Sequence, residues 1–313
     1  REPDGVSKGS GGLGALRIER LSGGGVRLFA PAKVNLFLEV LARRPDDNHD
    51  IETVMAPLAL FDVLDAHPAP LGVSLEIEGG EGIPAGESNL VLRAWRAAEQ
   101  AAGRTLPARL RLRKRIPAGA GMGGGSSDAA AALQAAAALH GLDPSALPAA
   151  AASVGSDVPF FLGDGFALCT GRGERIEPCP SWPDLWIVAH FPGFPCPTAT
   201  VYRRHDERFP LTPDPRRASV LLHAIGNRDL SALRRSQWNR LEAAVFSDWP
   251  HLQEIRDTMA TLGEAPVHVT GSGSALFGVF GHAQDAREAE ARLRFRGFKD
   301  VFCAPADAGG DSD

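Results

Sequence analysis

A glycine-rich segment, residues 117–128, reads Pro-Ala-Gly-Ala-Gly-Met-Gly-Gly-Gly-Ser-Ser-Asp and leads directly into an alanine-rich stretch, residues 129–139. Glycines carry no side chain, so the backbone N–H groups of such a loop can come close to a ligand. The start of the following helix adds about half a positive charge at the same place. The segment therefore predicts a polyphosphate site, with a nucleoside triphosphate as the expected guest.

Gly119, Gly121 and Gly124 also fit the G-x-G-x-x-G pattern of dinucleotide-binding folds and protein kinases. The preceding residues 109–116 alternate leucine with arginine, which predicts a strand with one apolar face, whereas dinucleotide-binding strands are buried on both faces. Ser126 stands where a protein kinase has valine, and no Lys-Ser or Lys-Thr follows the glycines as in a P-loop. The pattern favours a phosphate loop of another type.

Two serines follow the glycines, and we predict that Ser126 and Ser127 occupy the N-cap position of the next helix. Asp128 is then expected in the first turn, where it is one candidate ligand for Mg²⁺. The alternative is a flexible turn that binds nothing. The strand before the loop and the helix after it favour the phosphate site.

Three other places could contribute to the same chemistry. Lys33 and Asn35 point to one side of a predicted strand, which is more often a solvated face but could also place a cation beside a phosphate. Asp157 is the only charge in residues 154–162, and its alternative role is a turn or cap carboxylate. Residues 270–275 form a glycine turn between apolar strands, either closing a hairpin or approaching a ligand.

Composition limits the class of protein. With 313 residues and a net charge of −5, the chain has room for about two domains and is not a general nucleic-acid or membrane-surface binder. We interpret the locally basic runs 109–115 and 203–217 as solvated faces. The four cysteines show no metal or C-x-x-C spacing, which favours a reducing cytoplasm. Residues 129–152 are too interrupted by polar residues and prolines to span a bilayer.

Hydrophobic periodicity predicts strands at residues 26–29, 34–41, 71–77, 109–116, 185–190, 267–269, 275–280 and 301–304. It predicts helices at residues 91–102, 127–140, 145–154, 218–224, 237–245, 252–262 and 283–295. These strands and helices alternate without a strict repeat, which predicts an α+β fold. Residues 1–25 are predicted to be a flexible glycine-rich leader, either processed or added. A proline-rich break at residues 178–183 divides the rest into an N-terminal domain, 26–179, and a C-terminal domain, 180–307. A polar tail, 308–313, follows.

Three motifs in this order resemble those of the GHMP kinases, and the likeness covers nearly the whole chain after residue 26. They are Pro-Ala-Lys-Val-Asn-Leu at 31–36, the glycine-rich segment at 117–130 and Gly-Ser-Gly-Ser-Ala at 271–275. Within that superfamily the chain is similar to the 4-diphosphocytidyl-2-C-methyl-D-erythritol kinases. The stretches behind this narrower likeness are residues 44–49, 88–93, 155–160 and 188–190.

The resemblance implies a two-domain GHMP kinase fold, with an ATP-binding N-terminal domain like domain 2 of ribosomal protein S5 and a ferredoxin-like C-terminal domain. It also implies phosphorylation of the 2-hydroxyl of 4-diphosphocytidyl-2-C-methyl-D-erythritol by ATP, with Mg²⁺, in the non-mevalonate route to isoprenoids. The expected partners are small molecules only, with no nucleic acid and no membrane, and the expected location is the cytoplasm.

The resemblance also assigns roles to residues. Asp157 would remove the proton from the substrate hydroxyl, and Lys33 would orient that hydroxyl and stabilise charge. The expected ATP-binding residues are Asn89, Leu90, Lys114, Pro117, Ala118, Gly119, Ala120, Gly121, Met122, Gly123, Gly124, Gly125, Ser126 and Ser127. The expected substrate-binding residues are Asn35, His49, Thr198 and Tyr202.

One position departs from the family. Where the family usually has Gly-Tyr-His, this chain has Asp47-Asn48-His49, so one of two rings that would stack on cytosine is absent. Stacking contributes about 1–3 kcal/mol per base, and we expect Phe191 or Phe194 to substitute if affinity is kept. Two alternatives therefore stay open: another small-molecule GHMP kinase, acting on homoserine or a sugar, and a nucleotide-binding protein without turnover.

Overall fold

The computed structural model describes residues 16–209, 211 and 216–306. These residues pack into two units, each assembled from separate stretches of chain. Unit 1 comprises residues up to Pro31, Phe61–Ile116 and Gly124–Asp164; unit 2 comprises Ala32–Leu60, Pro117–Gly123 and the residues from Gly165 onward. This division follows packing, not chain order, so a domain boundary near residue 180 stays a prediction.

The strands of unit 1 form three pairings. Strand β1 (Arg17–Arg20) pairs antiparallel with the first residues of β2 (Val26–Arg43). The second half of β3 (His49–Pro68) pairs antiparallel with β5 (Ala108–Arg113), which pairs parallel with β4 (Val73–Glu78). In β5 the leucines are buried and the arginines are at least partly exposed, as the alternating pattern predicts.

Three helices pack together in unit 1: α1 (Leu90–Ala102), α2 (Gly124–His140) and α3 (Leu147–Val154). The side chain of Asn89 caps α1, since its Oδ1 accepts a hydrogen bond from the N–H of Val91 at 2.8 Å. Helix α2 is buried along residues 127–136, most of them alanine. A helix that is apolar on all sides is a core helix, so α2 is fixed in position on every side.

Unit 2 contains two groups of strands. Strand β6 (Ala167–Gly171) pairs antiparallel with the first half of β3 and with β7 (Arg175–Pro178). A four-stranded antiparallel sheet has the order β12-β8-β11-β10. Its strands are β8 (Trp186–His190), β10 (Val267–Val269), β11 (Leu276–Phe280) and β12 (Val301–Pro305), and the short β9 (Trp238–Asn239) pairs with β2 instead.

Helices α8 and α9 pack on the four-stranded sheet and supply much of its core. The helices of unit 2 are α4 (Thr198–Arg208), α5 (Ser219–Gly226), α6 (Leu230–Ser236), α7 (Glu242–Asp248), α8 (His251–Gly263) and α9 (Ala283–Phe295). Taking β8, α8, β10, β11, α9 and β12 in order gives the split βαβ arrangement, which confirms the expected ferredoxin-like fold.

The predicted leader is wrong in its last part. Residues 17–20 form β1, which is held by its ladder with residues 26–29, and Leu16 is buried. Residues 1–15 and the tail 308–313 lie outside the described residues. The fold therefore begins at least ten residues before residue 26, the predicted start of the N-terminal domain. The pairing of β1 with β2 orders these residues despite the glycine content of the segment.

Several elements differ from their predicted bounds. The strands expected separately at 26–29 and 34–41 are one strand, β2, which Pro31 does not interrupt. The helix expected at 237–245 begins only at Glu242, since residues 238–239 pair with β2 as β9. Strand β3, the β6–β7 hairpin, α4 and α6 were not predicted at all.

The described residues contain neither a helix that could span a membrane nor a disulfide bond. Within the described ranges, no helix combines the length and apolar character that crossing a bilayer requires. All four cysteines lie in these ranges and form no disulfide. Burial raises the pKa of Cys179 to about 11 and of Cys196 and Cys303 to about 12, so these three thiols stay protonated near neutral pH and are poor nucleophiles.

Candidate active site

Within unit 2 the glycine loop, residues 117–123, is attached to its neighbours through backbone hydrogen bonds. The N–H of Lys33 donates to the carbonyl of Met122 at 2.9 Å, and the N–H of Ala275 donates to the carbonyl of Ala120 at 3.0 Å. The loop thus lies between the strand that carries Lys33 and the glycine turn at 270–275. These hydrogen bonds join the motif at 31–36 and the motif at 271–275 to the glycine-rich motif.

At two positions of the loop, the available space admits only glycine. Gly121 has φ +78°, and a Cβ there would lie 2.2 Å from the carbonyl oxygen of Thr270. Gly119 has φ +68°, and its Cβ would lie 2.6 Å from Cβ of Pro195. These positions exclude any side chain, so the glycines allow backbone to pack on backbone as well as giving the loop its conformation.

Lys33 and Asn35 are both buried, at 3% and 4% exposure, so the solvated-face alternative is wrong. Lys33 Nζ donates to Asn35 Oδ1 at 2.6 Å, and Asn35 Nδ2 donates to Thr53 Oγ1 at 2.9 Å. Thr270 Oγ1 lies 3.2 Å from the same Asn35 oxygen. The hydroxyl and amide groups fix the direction of the lysine side chain, which places the ammonium beside the loop and the turn.

Helix α2 begins at Gly124, three residues earlier than predicted. Ser126 and Ser127 therefore lie inside the first turn, not at the N-cap, and Asp128 lies beyond the first turn. The first N–H groups of a helix have no partner within it, so those at the start of α2 can bind an anion. An anion site is expected to have such a helix start. Here glycines, and not a serine cap, form it.

A buried ion cluster lies close to the start of α2 in unit 1. Lys114 Nζ lies 2.6 Å from Asp128 Oδ2 and also pairs with Asp62. Asp62 Oδ1 accepts the backbone N–H groups of Arg115 and Ile116 at 2.5 and 2.9 Å. Burial, reinforced by the charge of Asp62, raises the pKa of Asp128 to about 7 despite the ammonium group. The cluster ties the end of β5 to α2.

The three predicted adenosine-pocket residues all lie in unit 1. A Cβ placed on Gly124 would be 3.3 Å from Lys114 Nζ, and one placed on Gly125 would be 3.2 Å from Leu90 Cδ1. Asn89 adjoins Leu90 as the cap of α1. The structure therefore brings Leu90 and Lys114 to the start of α2. The ammonium of Lys114 is engaged by carboxylates, and its contact with adenosine stays a prediction.

A second cluster in unit 2 consists of His49, Tyr202 and Asp206. The ring centroids of His49 and Tyr202 lie 4.7 Å apart with their planes at 32°. His49 Nε2 lies 2.8 Å from Asp206 Oδ1. The resemblance implies the first two residues, and Asp206 was missed. Its spacing of four from Tyr202 on α4 was the available signal, because such residues share one face of a helix.

Thr198 and Asp157 are placed in different units. Thr198 is the first residue of α4, and its Oγ1 lies 2.9 Å from Oγ of Ser272 in the glycine turn. Asp157 is partly buried in the turn after α3, where the N–H of Val158 donates to the carbonyl of Gly155. Their roles in substrate binding and proton transfer stay predictions.

The residues at the start of α2 fit a magnesium ion held together with a nucleotide. No three His, Cys, Asp or Glu side chains in the described ranges form a metal site of their own. Nucleotide-bound Mg²⁺ needs only one or two protein oxygens. Ser127 Oγ and Asp128 Oδ1 are buried and make no hydrogen bond within the described part of the chain, so both are suitable donors.

Comparisons with known proteins agree with the three motifs. A family model described as the GHMP kinases N terminal domain matches residues 89–165, and one described as GHMP kinases C terminal matches residues 221–299. The homoserine kinase of Cytophaga hutchinsonii is 18% identical, with a TM-score of 0.71 over 91% of this chain and 96% of that one, and so shares the fold.

Relatives with higher sequence identity share a more specific name. The 4-diphosphocytidyl-2-C-methyl-D-erythritol kinase of Pelotomaculum thermopropionicum is 39% identical over 86% of this chain and 94% of its own length. The kinase of the same name from Thermus thermophilus is 41% identical over 85% and 91%. A crystal structure of 4-(cytidine 5'-diphospho)-2C-methyl-D-erythritol kinase is 38% identical, with a TM-score of 0.72 over 89% of this chain and 98% of that one. This chain therefore belongs to the 4-diphosphocytidyl-2-C-methyl-D-erythritol kinase family of the GHMP kinase superfamily.

Proposed function

We propose that this chain transfers the γ-phosphoryl group of ATP to the 2-hydroxyl of 4-diphosphocytidyl-2-C-methyl-D-erythritol, giving the 2-phosphate and ADP. The reaction belongs to non-mevalonate isoprenoid biosynthesis and takes place in the cytoplasm. The observation that carries the proposal is the buried lysine and amide pair bonded to the glycine loop, in a chain 39–41% identical to kinases of that name.

The glycine loop and the start of α2 hold the phosphates of ATP. Backbone N–H groups of a glycine loop can bind anionic oxygens, and a helix adds its positive end. Ser127 and Asp128 would hold Mg²⁺, which would supply positive charge to neutralise the phosphates. Lys114, shared between two carboxylates, keeps Asp128 oriented for that task.

Asp157 takes the proton from the acceptor hydroxyl, and Lys33 orients that hydroxyl and stabilises the charge that develops. General base catalysis is worth about 10²- to 10⁴-fold in rate, so positioning and electrostatic stabilisation supply the remainder. Asn35 fixes the Lys33 side chain by the 2.6 Å hydrogen bond and also contacts the polyol. Thr198 contacts the diphosphate, and His49 and Tyr202 bind the cytosine ring.

The test is ATP consumption by the purified chain with Mg²⁺ and one acceptor at a time: the cytidyl erythritol substrate, homoserine, mevalonate or galactose. Turnover with the cytidyl substrate alone is the expected result. The Asp157→Asn variant should lose about 10²- to 10⁴-fold in kcat while still binding ATP. Asp164→Asn, an exposed aspartate seven residues away, is the matched control and should keep full activity.

Other outcomes separate the alternatives. Turnover with homoserine or galactose would move the chain to another activity of the same superfamily. ATP binding without turnover on any acceptor would indicate a nucleotide-binding protein. An Asp157→Asn variant with unchanged kcat would remove the proposed base while leaving the kinase assignment in place.

A further inference from the structure

We propose that Asp206 is a positioning residue that holds the His49 ring in one tautomer, so that the site recognises cytosine and rejects uracil. The proposal deepens the proposed function and rests on it, since it takes the nucleobase at His49 to be cytosine. It is carried by the 2.8 Å contact between His49 Nε2 and Asp206 Oδ1, which joins β3 to α4.

The carboxylate of Asp206 is ionised at neutral pH. Although its partial burial disfavours the charge, hydrogen bonds from His49 and His205 outweigh that effect and lower the pKa of the Asp206 carboxyl. Arg43 Nε, 3.8 Å from Asp206 Oδ2, adds a further positive charge. An ionised carboxylate can only accept hydrogen bonds, so the Nε2 atom of His49 must carry the proton.

The tautomer decides what His49 offers to a ligand. A neutral imidazole with its proton on Nε2 presents Nδ1 as an acceptor. Cytosine carries an amino donor at C4, where uracil carries an oxygen acceptor. An acceptor on the protein therefore pairs with cytosine and opposes uracil, whereas the other tautomer reverses this preference.

The surroundings keep the ring from rotating out of this arrangement. His49 is 7% exposed, and the Tyr202 ring covers it at a centroid distance of 4.7 Å. His205 competes for the same carboxylate oxygen at 3.3 Å, a longer contact than that of His49. Burial lowers the pKa of His205, which favours its neutral form and leaves the shorter bond to His49 dominant.

The first measurement is the ¹⁵N NMR spectrum of the imidazole groups at neutral pH, with the His49 signals assigned by their loss in His49→Gln. A single tautomer protonated on Nε2 is expected in the unaltered chain. A spectrum of His49 protonated on Nδ1, or of mixed tautomers, would overturn the proposal. This readout needs neither substrate nor turnover.

The second measurement is the affinity for cytidine diphosphate and for uridine diphosphate by calorimetry. A mismatched hydrogen bond at a buried site should make the cytidine nucleotide bind about 10- to 100-fold more tightly. Asp206→Ala should reduce that ratio to near one by weakening cytidine binding, with kcat for the phosphoryl transfer little changed. Asp206→Asn, whose amide oxygen can still accept from Nε2, should restore most of the ratio.

Glu207→Ala is the matched control, since Glu207 is the next residue on α4, pairs with Arg204 and is half exposed. It should leave the nucleotide ratio unchanged. A ratio that is the same in Asp206→Ala as in the unaltered chain would defeat the inference, as would equal affinities in the unaltered chain. If the tautomer and the preference for cytidine are as expected but the cytidyl substrate is not phosphorylated, only the proposed function is wrong.

Discussion

Two parts of unit 2 are built in different ways. In the loop–turn region, residues 117–123 and 270–275, backbone packs on backbone, and a Cβ at Gly121 would lie 2.2 Å from a carbonyl oxygen. In the ring cluster of His49, Tyr202 and Asp206, side chains from β3 and α4 meet at a more open site, where the Asp206 side chain is 26% exposed. A side chain at Gly119 or Gly121 is excluded from the first region, whereas the second region consists of side chains that contact one another.

The difference bears on which property each region controls. Any set of well-placed N–H groups can bind a phosphate, so in the proposed function the loop–turn region determines the kind of reaction through its backbone geometry. A nucleobase is distinguished by the donors and acceptors on its edge, so in the proposed function the ring cluster determines the substrate through individual side chains. The departure that the resemblance implies at Asp47 and Asn48 falls beside the second region, where exposed Asn48 hydrogen-bonds with Asp46 and its carbonyl accepts the N–H of Arg44.

The largest effect is expected from Lys33→Met, which keeps the length of the buried side chain and removes its charge. Loss of one stabilising donor in a water-poor site lowers kcat by about 10²- to 10³-fold. Steady-state kinetics with the cytidyl substrate measures it, and Lys299→Met, at an exposed lysine of the same unit, is the control. An effect on KM alone would break the comparison, because Lys33, which is bonded to the loop–turn region, would then determine affinity and not reaction.

Gly121→Ala should have the next largest effect. The added Cβ meets the Thr270 carbonyl and must displace the turn that carries the lysine network, so we expect kcat to fall about 100-fold, as for small displacements of reacting groups. Gly103→Ala is a sharp control because Gly103 has a similar φ, +62°, but no atom within 4 Å of its Cβ. It should lower the free energy of unfolding by about 1 kcal/mol and leave kcat unchanged.

Much of this site could be predicted from local sequence. The glycines with their serines predicted a loop that leads into a helix, and the alternation in residues 109–116 predicted β5. The helix at Ala283–Phe295 has the predicted bounds, since its apolar residues recur at helical spacing between a glycine-containing start and end. These features depend on neighbours within a few residues, which a single sequence displays.

The rest depends on contacts that are distant in sequence. Strand β3 escaped prediction because residues 54–60 are nearly all apolar and include Pro57, so neither alternation nor a turn signal marks a strand there. Asp62 has no sequence feature that indicates its pairing with Lys114, 52 residues away. Asp206 became part of the ring cluster only once α4 was known to lie beside His49.

A smaller effect is expected from Tyr202→Ala, which removes the ring over His49. Loss of one stacking partner costs about 1–3 kcal/mol, so KM for the cytidyl substrate should rise about 5- to 150-fold with kcat nearly constant. Tyr202→Phe keeps the ring and should retain most of the affinity. If Tyr202→Ala lowered kcat as strongly as Lys33→Met, the two regions would not divide reaction and substrate as the comparison requires.

The smallest effect is expected from Asn48→Tyr, which restores the aromatic residue usual in the family. Asn48 is exposed, so the new ring can be placed without displacing core residues, and a gain of about 1 kcal/mol in stacking lowers KM for the cytidyl substrate about fivefold. Asn48→Leu adds apolar area without an aromatic face and separates stacking from simple burial. A KM that does not change in Asn48→Tyr would mean that another ring, such as Phe194, already occupies the second face of the base. Phe194 packs against His251 at a centroid distance of 5.0 Å, so that outcome would require this pair to open when substrate binds.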